Sequence, residues 1–272
     1  MNTSDKFSVA LFVPSCDKYF DVIDQFFERQ EKFMGWWKYN RYVVTEQKSY
    51  KREGVISLCS YPSDAWSERM RKVLESLNEK YYLFLLDDYF ICEDVNQGAL
   101  INALKIMEEE DLRYYKLVNN PIIKHKCEKY DYLTPIPDNV RYGINLAECI
   151  VRKDFFLELL GEDGISVWQV EAKPLESITK KFSGYIPGCV ADKRNIISIR
   201  YAIMKGMWAP ATIKYFAKIN IPIRLCDRSV LSFMYITRLK INNAVNKLLT
   251  PSIIRLLKKI LSKIGFKFAS QY

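Results

Sequence analysis

Short apolar runs alternate along the chain with longer stretches in which apolar residues recur every three or four positions. The first pattern is that of buried strands and the second that of helices with one apolar face. Residues 7–13 predict a strand that Pro14 breaks. Tyr19, Val22, Ile23, Phe26, Phe27 and Phe33 then fall near helical spacing, with Ser15 or Asp17 as a capping residue. Strands are predicted at 41–45, ending on Thr45, and at 55–59. The stretch 62–77 predicts a helix whose inward stripe is Trp66, Met70, Val73, Leu74 and Leu77, with Glu68, Arg69, Arg71 and Lys72 outside.

Residues 81–92 hold the strongest buried-strand signal, Tyr-Tyr-Leu-Phe-Leu-Leu, and it stops at two adjacent carboxylates, Asp87 and Asp88. Ligands of open α/β sheets gather at the carboxyl ends of such strands, and hard carboxylate oxygens suit magnesium or manganese. The alternative is that the pair only starts a turn and caps its helix. Asp94 and Gln97 predict the start of a helix through Met107 that ends in the acidic run 108–111, a solvated surface.

A strand is expected at 114–118. Residues 119–139, with Pro121, Pro135, Pro137 and the single histidine, His125, read as an irregular loop beside a site. His125 lies between two lysines and reads as an exposed loop residue rather than a base. A segment ending in Glu148-Cys-Ile-Val leads to a helix at 153–160, which Gly161 and Gly164 close. Glu171 follows Trp168 by three residues, and a surface salt bridge is the simplest role for it in isolation. Beyond it the pattern predicts a helix and a Pro/Gly loop over 172–188. A strand at 195–199, a loop at 206–208 and a helix at 212–219 come next.

Composition narrows the class. The chain has 272 residues, 49% hydrophobic and 27% charged, a globular balance with enough length for a full core. Its formal charge of +9 is not spread evenly: from Arg228 onward there are nine basic residues and no acidic one, so residues 1–227 are neutral. That distribution disfavours nucleic-acid binding by the body, because the cations are not interleaved with stacking aromatics on a sheet. Seven widely spaced cysteines and no CxxC pair point to reduced thiols in a cytosolic compartment and away from a zinc site. No run approaches the roughly 20 apolar residues of a membrane span.

Six ordered fragments sharpen the picture: Val13-Pro-Ser-Cys-Asp-Lys-Tyr19, Trp66-Ser-Glu-Arg69, Leu85-Leu-Asp-Asp-Tyr-Phe90, Ile144-Asn-Leu-Ala147, Val167-Trp-Gln-Val-Glu171 and Lys205-Gly-Met-Trp208. Together they resemble the bacterial polysaccharide-biosynthesis glycosyltransferases of GT-A fold, across about residues 7–215. The resemblance implies an α/β, Rossmann-like domain over 1–227 with a mixed, mostly parallel sheet flanked by helices. It implies a nucleotide-sugar donor near Ser15, Asp17 and Thr45, with Asp87 and Asp88 at its diphosphate or divalent cation. Glu171 would be the general base, Glu148 the second candidate, and Lys205 a cation for the leaving group. The usual acidic motif of that family separates its aspartates by one residue, whereas these are adjacent. Either one carboxylate reaches manganese or magnesium, or a cationic side chain replaces the metal. A nucleotidyltransferase would use the same strand-end carboxylates, and a non-catalytic membrane-associated protein of this fold would tolerate their irregular spacing.

The remaining segment, 228–272, predicts a basic amphipathic region. From Thr250-Pro251 to Gly265, Ile253, Ile254, Leu256, Leu257, Ile260, Leu261 and Ile264 share one helical face and Arg255, Lys258, Lys259 and Lys263 the other. A helix of this kind at 250–267 suits the surface of an anionic membrane. Packing on the body or a dimer interface is the alternative. With the resemblance, this pattern implies a peripheral enzyme on the cytoplasmic face of the cell membrane, acting on a lipid-linked, polyprenyl-diphosphate glycan.

Overall fold

The computed structural model describes residues 7–61, 65–125, 127–161, 164–172, 184–232, 234, 235 and 237. β1 (Val9–Pro14), a 3₁₀ turn (Asp17–Tyr19) and α1 (Phe20–Phe33) lead to β2 (Arg41–Thr45), β3 (Ile56–Cys59) and α2 (Trp66–Glu75). Next come β4 (Tyr81–Phe84), β5 (Tyr89–Ile91), α3 (Gln97–Glu109), β6 (Tyr114–Lys116), β7 (Leu133–Pro137), β8 (Cys149–Arg152), α4 (Lys153–Leu160) and α5 (Val167–Ala172). The last described elements are β9 (Tyr185–Asp192), β10 (Ile199–Tyr201), β11 (Ile203–Met204), β12 (Met207–Trp208) and α6 (Pro210–Lys218).

Eight strands form one sheet in the order β3-β2-β1-β4-β8-β6-β9-β7. The first four run parallel, as does β6 with β9, while β4–β8, β6–β8 and β7–β9 are antiparallel. The sheet is thus mixed and mostly parallel and is flanked by helices, the α/β arrangement that the resemblance implies. Alternation along β1 sends Val9, Leu11 and Val13 into one core with α1 and α3. Ala10 and Phe12 enter a second core on the other face, with α2 and α4. There Phe12 meets Phe156 edge-on at 5.9 Å and stacks on Phe84 at 5.8 Å.

Helix α1 is tied to the end of the described chain by buried polar groups. The fully buried Arg29 guanidinium lies 4.6 Å from the Phe90 ring and 4.4 Å from the Phe216 ring, and donates to the carbonyls of Gln25 and Ile221. Gln25 exchanges hydrogen bonds with the Arg224 backbone at 2.9 and 2.8 Å. The chain beyond 227 continues onto the body: Ser229 and Leu231 bond the Trp208 backbone, and Leu231 is buried. Residues 238–272, including the amphipathic helix expected at 250–267, lie outside the described residues.

Several expectations are corrected. The strand expected over the apolar run 81–86 ends two residues early, β4 stopping at Phe84, and after the two aspartates a separate strand, β5, pairs antiparallel with β10. Helix α3 is capped by Asn96, whose side chain accepts the Ala99 N–H at 2.9 Å, rather than by Asp94. The stretch 119–139 contains strand β7, whose two prolines are tolerated because it is the sheet's edge. Residues 185–192 form a strand, not a Pro/Gly loop. Gly188 there takes φ +66, with the Arg113 side chain 3.1 Å from where a Cβ would be. The late strand is Ile199–Tyr201 rather than 195–199, and 206–208 belongs to the small β11–β12 hairpin. All seven cysteines are free thiols. Among the described residues no helix is long and apolar enough to cross a membrane.

Candidate active site

The order and direction of the strands bring the exits of β1 and β4, the end of β6 and the start of β8 to one edge of the sheet. A cavity of about 620 Å³ opens there, lined in part by Ser15, Asp87, Asp88, Tyr142, Leu146 and Glu171. On the first wall, Ser15 Oγ donates to Asp87 Oδ2, linking the β1 and β4 exits. Asp87 is buried and Asp88 half-buried. Burial drives the Asp87 carboxyl well above the usual carboxylate range; the neighbouring Asp88 charge adds to the rise, and the Ser15 hydroxyl and Arg228 oppose it. Asp88 is raised by its own burial. The Asp88 carbonyl accepts the Ala202 N–H at 2.7 Å, which seats Tyr201 edge-on to Tyr89 at 4.6 Å.

The second wall is built by α5 and by the loop before β8. Val167 and Glu171, one helical turn apart, both face the cavity. Glu171 Oε1 accepts the Leu146 N–H at 2.9 Å. Burial raises the Glu171 carboxyl above its ordinary value, against the Leu146 N–H and the Lys116 charge, which pull it down. Glu148 is 5% exposed, lies behind this wall rather than on the cavity, and is likewise raised by burial. Tyr89 stands between the walls. After burial and Tyr201, its hydroxyl is influenced most by the charges of Asp88, Glu148 and Glu171, all of which raise it.

The other sequence candidates sit elsewhere. Asp17 accepts the backbone N–H groups of Glu46, Gln47 and Lys48 at 3.0 to 3.3 Å, so its carboxylate orders the exit of β2 instead of capping α1. Burial acts to raise that carboxyl, but these donors outweigh it and hold it below its usual value. Thr45 is buried and donates to the Lys48 carbonyl at 2.8 Å in the same turn. Lys205 occupies the exposed β11–β12 turn with φ +52, its ammonium 5.1 Å from the Tyr235 ring, and does not line the cavity.

Sequence reasoning passes over Lys116. It is fully buried at the end of β6, and its ammonium donates to the Tyr142 carbonyl at 2.6 Å and the Gly143 carbonyl at 3.2 Å. Burial pushes it down to about 8, although the charges of Glu148, Cys149 and Glu171 favour the ammonium. Period-two alternation with the core residue Tyr114 is the available signal for a buried cation there. Arg228 belongs by sequence to the cationic tail. Its guanidinium instead grips both Asp21 oxygens at 2.6 and 2.9 Å over the Tyr19 ring, near Asp87.

No protein-family description matches the sequence, and no curated protein sequence matches it. Among solved structures, S. aureus TarS 1-349 aligns with 67% of this chain at 10% identity and a TM-score of 0.40. A candidate nucleotide-diphospho-sugar transferase from Desulfovibrio desulfuricans G20 aligns with 69% of this chain and 82% of its own, at 8% identity and a TM-score of 0.38. TarS 1-349 in complex with UDP-GlcNAc aligns over 55% of this chain and 46% of its own, at 13% identity and a TM-score of 0.35. The chain spans 57% of TarS 1-349 in the first of these alignments.

Proposed function

We propose that the chain is a glycosyltransferase that binds a nucleotide-sugar in the cavity and transfers its sugar to an acceptor hydroxyl. The observation that carries this reading is that two kinds of carboxylate from different elements line one cavity: the Asp87–Asp88 pair after β4 and the single Glu171 on α5. A glycosyl donor needs both. Its diphosphate leaves with growing negative charge, and its acceptor hydroxyl must lose a proton.

The pair fits a magnesium or manganese ion. Two carboxylates whose protonation is favoured by burial, and for Asp87 by its neighbour's charge, are a donor set that a cation relieves. Among the described residues no group of three metal-ligating side chains occurs, so the remaining ligands would be phosphate oxygens and water, a common arrangement for magnesium. Bound there, the ion would neutralise charge on the departing diphosphate. Ser15 orients Asp87 for that role. On the opposite wall Glu171 has one oxygen held by Leu146, leaving the other to accept the acceptor's proton. Glu171 is favoured over Glu148 because it lines the cavity and Glu148 does not. Lys205 is not assigned to the leaving group, since it lies outside the cavity.

The finer assignment of a lipid-linked glycan acceptor, met at an anionic membrane, rests on the amphipathic pattern at 250–267.

A panel of nucleotide-sugars tested by thermal shift, with and without manganese, checks the reading. One donor class should raise the melting temperature in proportion to the logarithm of its concentration. Turnover should release a nucleoside diphosphate. Release of pyrophosphate from a nucleoside triphosphate would assign the site to nucleotidyl transfer, and binding of no donor would overturn the proposal.

A further inference from the structure

Strand β6 is short, yet it fastens the whole segment that walls the cavity opposite the aspartates. Tyr114 and Lys116, two positions apart, project from the same face of the strand. The strand pairs antiparallel with β8, Lys116 opposite Cys149, so this face lies beneath the chain that enters β8. The Tyr114 hydroxyl donates to the Asn145 carbonyl at 2.8 Å and accepts the Asn145 N–H at 3.2 Å. Lys116 holds the carbonyls of Tyr142 and Gly143, three and two residues earlier. From the cavity side, Glu171 takes the Leu146 N–H. The segment is therefore pinned from below at two points and from above at one.

The turn that Lys116 holds is a demanding one. Tyr142 has φ +60, a left-handed conformation unusual for a residue with a side chain. A Cβ at Gly143 would come within 2.8 Å of Ile136 Cγ2 and 3.0 Å of the Val140 carbonyl. A buried ammonium is a costly way to fill space beneath a loop, and a methionine would fill it without desolvating a charge. What the charge adds is its hold on the two carbonyls and its attraction for Glu148 and Glu171.

We propose that Lys116 is a positioning residue for transfer: it fixes the 142–147 segment, and through the Leu146 N–H the aim of Glu171, so that the acceptor hydroxyl meets the base in line with the donor. The proposal rests on the reading of Glu171 as the base. It assigns Lys116 no contact with donor or acceptor.

The test pairs hydrogen–deuterium exchange with steady-state kinetics on the full chain carrying K116M. Exchange over 142–147 should accelerate while the other strands keep their protection. The kcat for transfer should fall about 100-fold, the scale of a misplacement near 1 Å, with donor affinity within about twofold of the wild type. If K116M does not fold, K116Q, which keeps an N–H donor without the charge, takes its place, with a smaller effect confined to the same segment. Unchanged exchange at 142–147, or acceleration spread evenly over the sheet, would overturn the proposal. A wild-type protein that turns over no nucleotide-sugar would instead defeat the glycosyltransferase reading, and the exchange measurement would still decide whether Lys116 anchors the segment.

Discussion

Glu171 and Leu146 meet through a 2.9 Å hydrogen bond in which the carboxylate accepts the backbone N–H of a segment on its own side of the cavity. The bond does two things. It fixes one carboxylate oxygen, so that the other has a defined direction. It also favours the charged form, working against the burial that raises this carboxyl. A general base requires such a balance: ionised at working pH, yet basic enough to take a proton.

Glu171→Gln should therefore separate binding from transfer. The amide oxygen can still accept the Leu146 N–H, so the wall keeps its shape and donor affinity should stay near the wild-type value. Transfer should fall by about 10² to 10⁴, the range removed with a general base. Glu148→Gln, behind the wall, should lose much less. Isothermal titration of the donor beside initial-rate measurements distinguishes the two, and an unchanged rate in Glu171→Gln would remove it from the mechanism.

Acid should stabilise the unliganded protein relative to neutral pH. Asp87, Asp88, Glu148 and Glu171 all have folded-state values raised above their ordinary 3.8 or 4.5. A raised carboxyl contributes stability that is complete below its unfolded value and is lost as pH rises through its folded value. The depressed value of Lys116, about 8, contributes the opposite slope, but only at higher pH. Melting temperature should thus decline from about pH 5 to pH 7 after allowance for surface charge, and Asp88→Asn should flatten the decline. Manganese should restore more stability at pH 7 than at pH 5, where the pair holds protons. Differential scanning calorimetry across pH reads both effects.

Removing the Ser15 hydroxyl should weaken the donor site through Asp87. The Ser15 O–H favours the ionised form of that carboxyl, so Ser15→Ala should raise its proton affinity further and reduce the negative charge available to a cation. With a hydrogen bond to a charged group worth about 1.5–3 kcal/mol, metal-dependent donor affinity should fall at least about tenfold at neutral pH and recover as pH rises. An affinity independent of the hydroxyl at every pH would show that Asp87 does not take part.

The reach of the sequence varies with how local each signal is. The helices from 9 to 84 follow from apolar period because each buries one periodic face, and β1, β2 and β4 from continuous apolar runs buried in the sheet, whereas β3 buries no residue. Asp87 and Asp88 are visible because carboxylates directly after a buried run have few roles. Strand β9 is hidden by Pro187 and Gly188, which punctuate loops elsewhere and here mark the irregular start of a strand next to the edge. Lys116 is hidden because its partners are carbonyls 26 and 27 positions away, and a lysine in a strand ordinarily faces water. Asp17, Thr45 and Lys205 illustrate the converse: proximity to a strand end or a tight turn does not reveal where a side chain points. The first two turn back onto the β2 exit, and the third stands on an exposed hairpin.

Arg228 links the end of the described body to the aspartate side of the cavity, and its chemistry is specific to a guanidinium. It holds both oxygens of Asp21, donates to the carbonyls of Lys18 and Gly206, and lies 4.4 Å from the Tyr19 ring. A planar fork satisfies all of these together, and a lysine ammonium cannot. Arg228→Ala should cost about 2 kcal/mol in stability from the lost charged hydrogen bonds. It should also lower donor affinity, because its charge favours the ionised form of Asp87 against the burial that raises it. Arg228→Lys should restore part of the electrostatic effect on Asp87 but little of the stability. Urea denaturation and donor titration on the two variants measure these separately. Full recovery of both by lysine would mean that charge alone, and not the fork on Asp21, anchors this end of the chain.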